Sequence, residues 1–394
     1  MPETEQIGSP GAALTFPVRE VVVAVCREAF GAALGAVVLT GSLARDEASY
    51  VLKDGRRTLL SDAEAVVVLQ DGAPLPSRRA TQALCGMAER RLAAHGVDIH
   101  VSLGVVHGAY LRSLPPHIYS YELRACGVVL YGEPGILEQI PHYSGSDLAK
   151  EDAWRLLSNR LVEQMEAGPE TLSDDAMGYR SIKLGLDLAS SLLVFCGRFE
   201  AGYRARLACM EEFSLTPEAR QLPLPADELL TLVRVCTRAK LQAEAGCDLG
   251  AGFADKVTGW AWQAWLWELE RMTGSEPGAG ADEMIRAFGR RLGWRRLRGW
   301  LFAVRRTGWL HSARYWTKWL ALFTRGLTPR HAVYLAAYGW QQGLREASSG
   351  NVSQRMGSIC DLLPVRGAAR AGTSAEVARQ IVWNYQEFVM ETRA

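Results

Sequence analysis

Every strand-like run in this 394-residue chain falls within its first third. AVVLTG (36–41), AEAVVVL (63–69) and the alternating VDIHVSLGVV (97–106) are short, apolar and bounded by glycine or charge. YELRACGVVLYGEPG (121–135) reads as a helix followed by a short strand. SYVLKDGRRTLL (49–60) reads as a hairpin turning at Asp54-Gly55. Segments 17–35 and 77–96 carry the spaced apolar positions of helices, the second closing at Gly96 with His95 and arginines in its last turns. From about residue 146 the strand signals almost vanish, and long helical patterns take over. So few strands can build only one small sheet, which helices must cover. The expectation is an α+β region with a small mixed sheet flanked by helices, followed by a larger all-helical region.

Composition narrows the class. Apolar residues make up 48% and charged residues 22%, as in ordinary globular proteins, and the formal net charge is only +1. Bulk charge therefore does not make the whole chain a polyanion binder. No run of 18 apolar residues predicts a transmembrane helix, and the acidic start MPETEQIGSPGAALTFP does not read as a secretory signal. The eight cysteines form no CxxC pair, and the seven histidines show no HxxxH or HExxH spacing. Reduced thiols in a cytoplasmic protein are expected, rather than a disulfide framework or a zinc site.

The chemistry concentrates in VVLTGSLARDEASYVLKDGRRTLLSDAEAVVVL (37–69). Asp62 and Glu64 stand two apart at the mouth of a buried strand, so both project from one face. Two like charges held that close call for a cation, and Mg²⁺ is commonly held by carboxylates together with substrate phosphates. Asp98 opens the next strand and would add a third carboxylate if the two strands are neighbours. Gly41 lets an anion approach the backbone, and Ser42 offers a hydroxyl and N–H groups at a strand-to-helix junction. A plainer reading makes Asp62 a turn residue and Glu64 a solvated edge residue.

The ordered set TGSLAR, SDAEAVVV and VDIHVS resembles the polymerase-β-like nucleotidyltransferase superfamily, in its small-molecule type with a C-terminal helical domain. The resemblance covers about residues 20–135. It implies that Asp62 and Glu64 bridge two Mg²⁺ ions, and that Asp98 binds the catalytic metal and activates the acceptor hydroxyl. Gly41 and Ser42 would hold the β- and γ-phosphates of an NTP, with Arg45 beside them. The Ser42-to-Asp62 gap is longer than in the family, and the hairpin accounts for the added length. The segment ending LYG resembles the close of such a catalytic domain. By the same resemblance, GYRSIKLGLDLASSLLVFCGRFEAGYRARL (178–207) is similar to the first long helix of the following domain, where a Lys or Tyr contacts the triphosphate. Lys183 and Tyr179 share a face at i and i+4. Lys183 is the candidate, with Arg180 and Asp187 behind it, against the alternative of a solvated lysine.

The implied organisation is a catalytic domain (1–145), a helical bundle closing the nucleotide cleft (146–272) and a basic, tryptophan-rich helical region (273–394). Within that last region, residues 286–330 hold twelve Lys/Arg and no acid, interleaved with Trp294, Trp300, Trp309, Trp316 and Trp319. Core packing of the tryptophans, binding of an anionic acceptor, and contact with an anionic membrane surface all fit that pattern. The implied activity is Mg²⁺-dependent transfer of an NMP from an NTP to a hydroxyl acceptor, a small molecule or glycan-type compound being favoured, with pyrophosphate released. Nucleotidylation of nucleic acid or protein is the first alternative, and a non-catalytic nucleotide-binding protein on the same fold is the second.

Overall fold

The computed structural model describes residues 10–53, 56–165, 174–241, 249, 252–276, 278–308, 312–345, 352–365 and 373–390. The chain divides into two compact units, Met1–Asp152 with Leu192–Asp248, and Ala153–Ser191 with Leu249–Ala394.

The first unit holds the sheet. Its strands are β1 (Leu34–Thr40), β2 (Tyr50–Lys53), β3 (Arg56–Leu59), β4 (Ala63–Leu69), β5 (Val101–His107) and β6 (Val128–Tyr131). The helices α1 (Pro10–Phe30), α2 (Gly41–Ala44), α3 (Arg78–Ala94), α4 (Gly108–Arg112) and α5 (Ile118–Cys126) accompany them. Four strands form one mixed sheet in the order β5-β4-β1-β6. β4 runs antiparallel to β1 and parallel to β5, so α3 makes the crossover that a parallel pair requires. β2 and β3 pair separately, Lys53 opposite Arg56, and the expected Asp54-Gly55 turn lies outside the described residues.

Alternation along the strands sends the two faces to two cores. Val37, Leu39, Ala65, Val67, Val101 and Leu103 pack with Val18, Val22, Ala88 and Leu92 of α1 and α3. Ala36, Val38, Val66 and Val68 face Leu111, Leu114, Leu123 and Ile140. The LYG turn has a packing reason. Gly132 has φ +102°, and a Cβ there would lie 2.4 Å from the carbonyl oxygen of Gly35.

Two elements differ most from their expected bounds. The first helix occupies Pro10–Phe30 rather than 17–35, because Gly31, at φ +49°, turns the chain into a single 3₁₀ turn before β1. β5 starts at Val101, four residues later than the alternation suggested. There the backbone N–H of Val101 donates to Glu89 Oε1 (3.0 Å) on α3.

Among its described residues the second unit has helices and their connections but no strand. Its core is aromatic. Trp154 stacks on Trp265 (centroids 5.4 Å) and meets Tyr334, His331 and Phe288 edge-on. The Trp265 indole N–H donates to Ser158 Oγ at 2.8 Å. That bond orients Trp265 within the packed rings. No described helix is long and apolar enough to cross a membrane.

Candidate active site

β1 ends at Thr40 opposite Glu64, the second residue of β4. There the chain leaves the sheet through the four-residue turn of α2, too short to carry much of a helix dipole. What the turn offers an anion is therefore its geometry and the half-buried Ser42. Gly41 has φ +73°, and a Cβ built on it would lie 3.0 Å from Glu64 Oε2. The bare α-carbon of Gly41 thus faces the Glu64 carboxylate directly.

Asp62 and Glu64 are exposed, whereas their neighbours Ser61, Ala63 and Ala65 are buried. The strand alternation places both acids on the face that carries Val66 and Val68. The peptide leading to Asp62 is fixed by a buried clamp. Ser61 Oγ accepts from the Ser49 backbone N–H (2.8 Å) and from Lys240 Nζ (3.2 Å), while Ser49 Oγ donates to the Lys240 carbonyl (2.9 Å). Lys240 is 3% exposed. Neither Ser61 nor Lys240 stood out in the sequence. Ser61 is one polar residue among several, and a lysine in an amphipathic helix carries no mark that its head group is buried.

Asp98 lies ahead of β5 in an extended segment where Val97 and Ile99 are buried and Asp98 and His100 are exposed. The parallel register pairs Ala63 with Val101 and Glu64 with Ser102, and the Ala63 N–H donates to the His100 carbonyl at 2.8 Å. One step further along this register, the residue level with Asp62 is His100. Its Nδ1 lies 2.6 Å from Glu89 Oε1. The signal for His100 was available in VDIHVS, where it alternates with Asp98, but choosing between them needed the register. Among the described residues, no three His, Cys, Asp or Glu side chains gather as a metal-holding group.

Arg45 is held elsewhere. Its side chain, 8% exposed, bonds Glu47 (3.1 Å) and Glu122 (3.1 Å), and its guanidinium lies over the Tyr203 ring. Glu122 also bonds Arg206, and Glu47 accepts the backbone N–H groups of Tyr203 (2.9 Å) and Arg204 (3.1 Å). Burial pulls the Arg45 pKa down, but the charges of Glu122, Tyr203 and Glu47 outweigh that and raise it. This network ties the turn after β1 to α5 and to the helix Tyr203–Ser214.

Lys183 lies in the second unit, half-buried, with Nζ 4.8 Å from the centroid of the Tyr179 ring. Arg180 donates to the Glu163 carbonyl, and the buried Asp187 accepts from Arg160 at 2.6 Å, so both serve helix packing in that unit.

Of the tryptophans in the basic stretch, Trp300 and Trp319 are buried, and their indole N–H groups donate to the carbonyls of Leu327 (2.9 Å) and Pro364 (2.7 Å). Trp294 and Trp316 are exposed. Trp309 lies outside the described residues. The described cysteines are all free thiols, and Cys247 lies outside the described residues.

No protein-family model matches the chain, and no curated protein matches its sequence. Among solved structures, it is similar to the spectinomycin adenyltransferase AAD(9) from Enterococcus faecialis, determined with ATP and spectinomycin. That likeness is 14% identical, covers 63% of this chain and 99% of the other, and has a TM-score of 0.37. At that identity and score it decides nothing about what this chain does.

Proposed function

We propose that the protein transfers a nucleoside monophosphate from an NTP to a hydroxyl acceptor. The observation that carries this reading is the juxtaposition of Gly41 with Glu64. A glycine at positive φ leaves the end of β1 bare where two exposed carboxylates stand on one face of β4. An anion can approach such a backbone, and a hard cation between it and the carboxylates would offset the repulsion of their like charges.

Asp62 and Glu64 fit Mg²⁺ as donors. They are hard oxygens, exposed and on one face, and Mg²⁺ commonly keeps waters and substrate phosphates in its remaining positions, so two protein carboxylates suffice. When bound, the metal would supply neutralisation of phosphate charge. Gly41 and Ser42 would take the phosphate oxygens, Gly41 by close approach and Ser42 through its hydroxyl. In the transfer, the acceptor oxygen forms a bond to the α-phosphorus as the bond to the β-phosphate oxygen breaks. Pyrophosphate departs, and the hydroxyl proton passes to a base on the segment entering β5. Asp98 and His100 both project from that segment onto the exposed side, and His100 is steadied by Glu89. Arg45 holds the turn rather than the triphosphate. Lys183 remains the candidate for a triphosphate contact from the helical region. The proposed organisation is a catalytic domain over 1–145, a bundle over 146–272 and a basic region over 273–394.

The test is a thermal-shift titration of each NTP, with and without Mg²⁺, on the wild type and on Asp62→Ala/Glu64→Ala. Metal-dependent stabilisation by an NTP, lost in the double variant, is the expected result. No response at saturating nucleotide overturns the reading. Pyrophosphate release with Asp98→Asn and His100→Asn then separates the two bases. The true one loses about 10²–10⁴-fold and the other much less.

A further inference from the structure

The basic stretch of the second unit is only half used by its core. In the helix Trp294–Thr307, Trp300 and Ala303 are buried. On the opposite side stand Trp294 (68% exposed), Leu297 (38%) and Leu301 (51%). With 3.6 residues per turn, these three and the exposed Arg298 and Arg305 fall within an arc of about 100°. The helix Trp316–Thr324 repeats the arrangement. Trp319 and Leu322 are buried, while Trp316 (48%) and Leu320 (62%) are exposed on one stripe. The two helices meet through their inner faces, where the rings of Trp300 and Trp319 lie 5.5 Å apart.

Five large apolar side chains standing in water are costly to leave there, and the charges around them have one sign. Arg290, Arg291, Arg295, Arg298, Arg305, Arg314 and Arg325 are exposed in a stretch that contains no acid. Arg286 pairs with Asp282 (2.5 Å) and Arg306 with Glu387 (3.2 Å), both acids from outside the stretch. A partner of this face must be anionic and also take up aliphatic side chains. Nucleic acid satisfies the arginines and could stack on the tryptophans, but it gives Leu297, Leu301 and Leu320 nothing. A lipid surface satisfies all of them. Leucines enter the acyl boundary, tryptophans sit at the headgroup level, and arginines snorkel to lipid phosphates.

We infer that the outer face of the helices Trp294–Thr307 and Trp316–Thr324 docks the protein onto an anionic lipid surface. The docking is peripheral, since no described helix can span the bilayer. It is independent of the nucleotidyl-transfer reading, because every residue in it belongs to the second unit and none to the proposed catalytic residues.

The full-length protein is sedimented with vesicles containing phosphatidylglycerol and, separately, with pure phosphatidylcholine vesicles. Binding to the first and not the second is expected, weakening as salt is raised. Leu301→Glu/Leu320→Glu should reduce partition by more than about tenfold. Arg298→Gln and Arg305→Gln should each reduce it by about fivefold. All four positions are exposed, so unchanged melting temperatures establish that the variants are folded. Failure to bind phosphatidylglycerol vesicles overturns the proposal, as does binding that the leucine variant leaves intact. Two further results also overturn it. One is that the wild type binds RNA or DNA but not vesicles. The other is that sedimentation velocity shows a dimer that Leu301→Glu/Leu320→Glu dissociates, which would make the face a contact between copies of this chain.

Discussion

The open end of the sheet in the first unit and the aromatic core of the second both hold carboxylates, under opposite conditions. Asp62 and Glu64 stand in solvent at the mouth of β4. Glu268 is completely buried, with Ser191 Oγ donating to its Oε1 at 2.6 Å and, among the described residues, no partner for Oε2. Burial pushes its pKa up to about 8, and the Ser191 hydrogen bond only partly opposes this. His331, in the same core, is driven down to about 3 by burial, then by Arg330, Arg155 and Arg295. Between these extremes sit Glu47 and Glu122, shielded from water but matched by arginines. A carboxylate buried in the structure is matched there by a proton or by a cation of the chain itself. One exposed at an element's edge costs the fold little and can meet a ligand.

This contrast orders the variants by their effect on stability. Arg45→Met should cost the most, about 3–5 kcal/mol, because it strips Glu47 and Glu122 of a buried partner. Urea unfolding measures it. Turnover lost with stability unchanged would instead make Arg45 a phosphate ligand and erase the distinction drawn above.

The core pair should show as opposite pH slopes, each at most about 1.4 kcal/mol per pH unit. Above pH 4.5 the unfolded chain releases the Glu268 proton, while the folded chain keeps it to about 8. Stability on that account falls as pH rises through the window. Between about 3 and 6.5 the unfolded chain binds a proton at His331 that the folded chain refuses, so stability there rises with pH. Glu268 therefore acts without His331 from about 6.5 to 8, and Glu268→Gln should flatten that decline. His331→Asn should flatten the rise between about 3 and 4.5, where Glu268 is protonated in both states. Denaturant midpoints across pH check both, and a variant with the wild-type slope refutes its assignment.

Gly41→Ala comes next, at about 1–2 kcal/mol for a side chain in the left-handed region. Its added Cβ would also press on Glu64 Oε2, so transfer should fall more than stability does. A melting curve and a pyrophosphate assay on one preparation compare the two losses. Asp62→Ala/Glu64→Ala should move stability least, within about 0.5 kcal/mol, while transfer falls by about 10³-fold. A marked drop in its melting temperature would make these acids structural and remove the basis of the proposed activity.

Much of the fold was legible because period and punctuation are local properties. The apolar runs AEAVVVL and AVVLTG, the latter closed by Gly41, and the helical spacing of each segment after residue 146 lie within single elements, and the mixed sheet with its helical continuation follows from them. The shared face of Asp62 and Glu64 needs only the two-residue period of a strand. Other features depended on partners far along the chain. Arg45 is held by Glu122, 77 residues away, and Lys240 reaches Ser61 across 179. His100 rather than Asp98 stands level with Asp62 because of how β5 registers on β4. Among the tryptophans, identical side chains at similar helical spacing divide into buried Trp300 and Trp319 and exposed Trp294 and Trp316. The sequence alone determined which elements form and which side chains share a face, since that is set by bonds between near neighbours. Only the tertiary structure decided which charges are neutralised and which apolar faces stay wet, since burial depends on what packs against a residue from elsewhere in the chain.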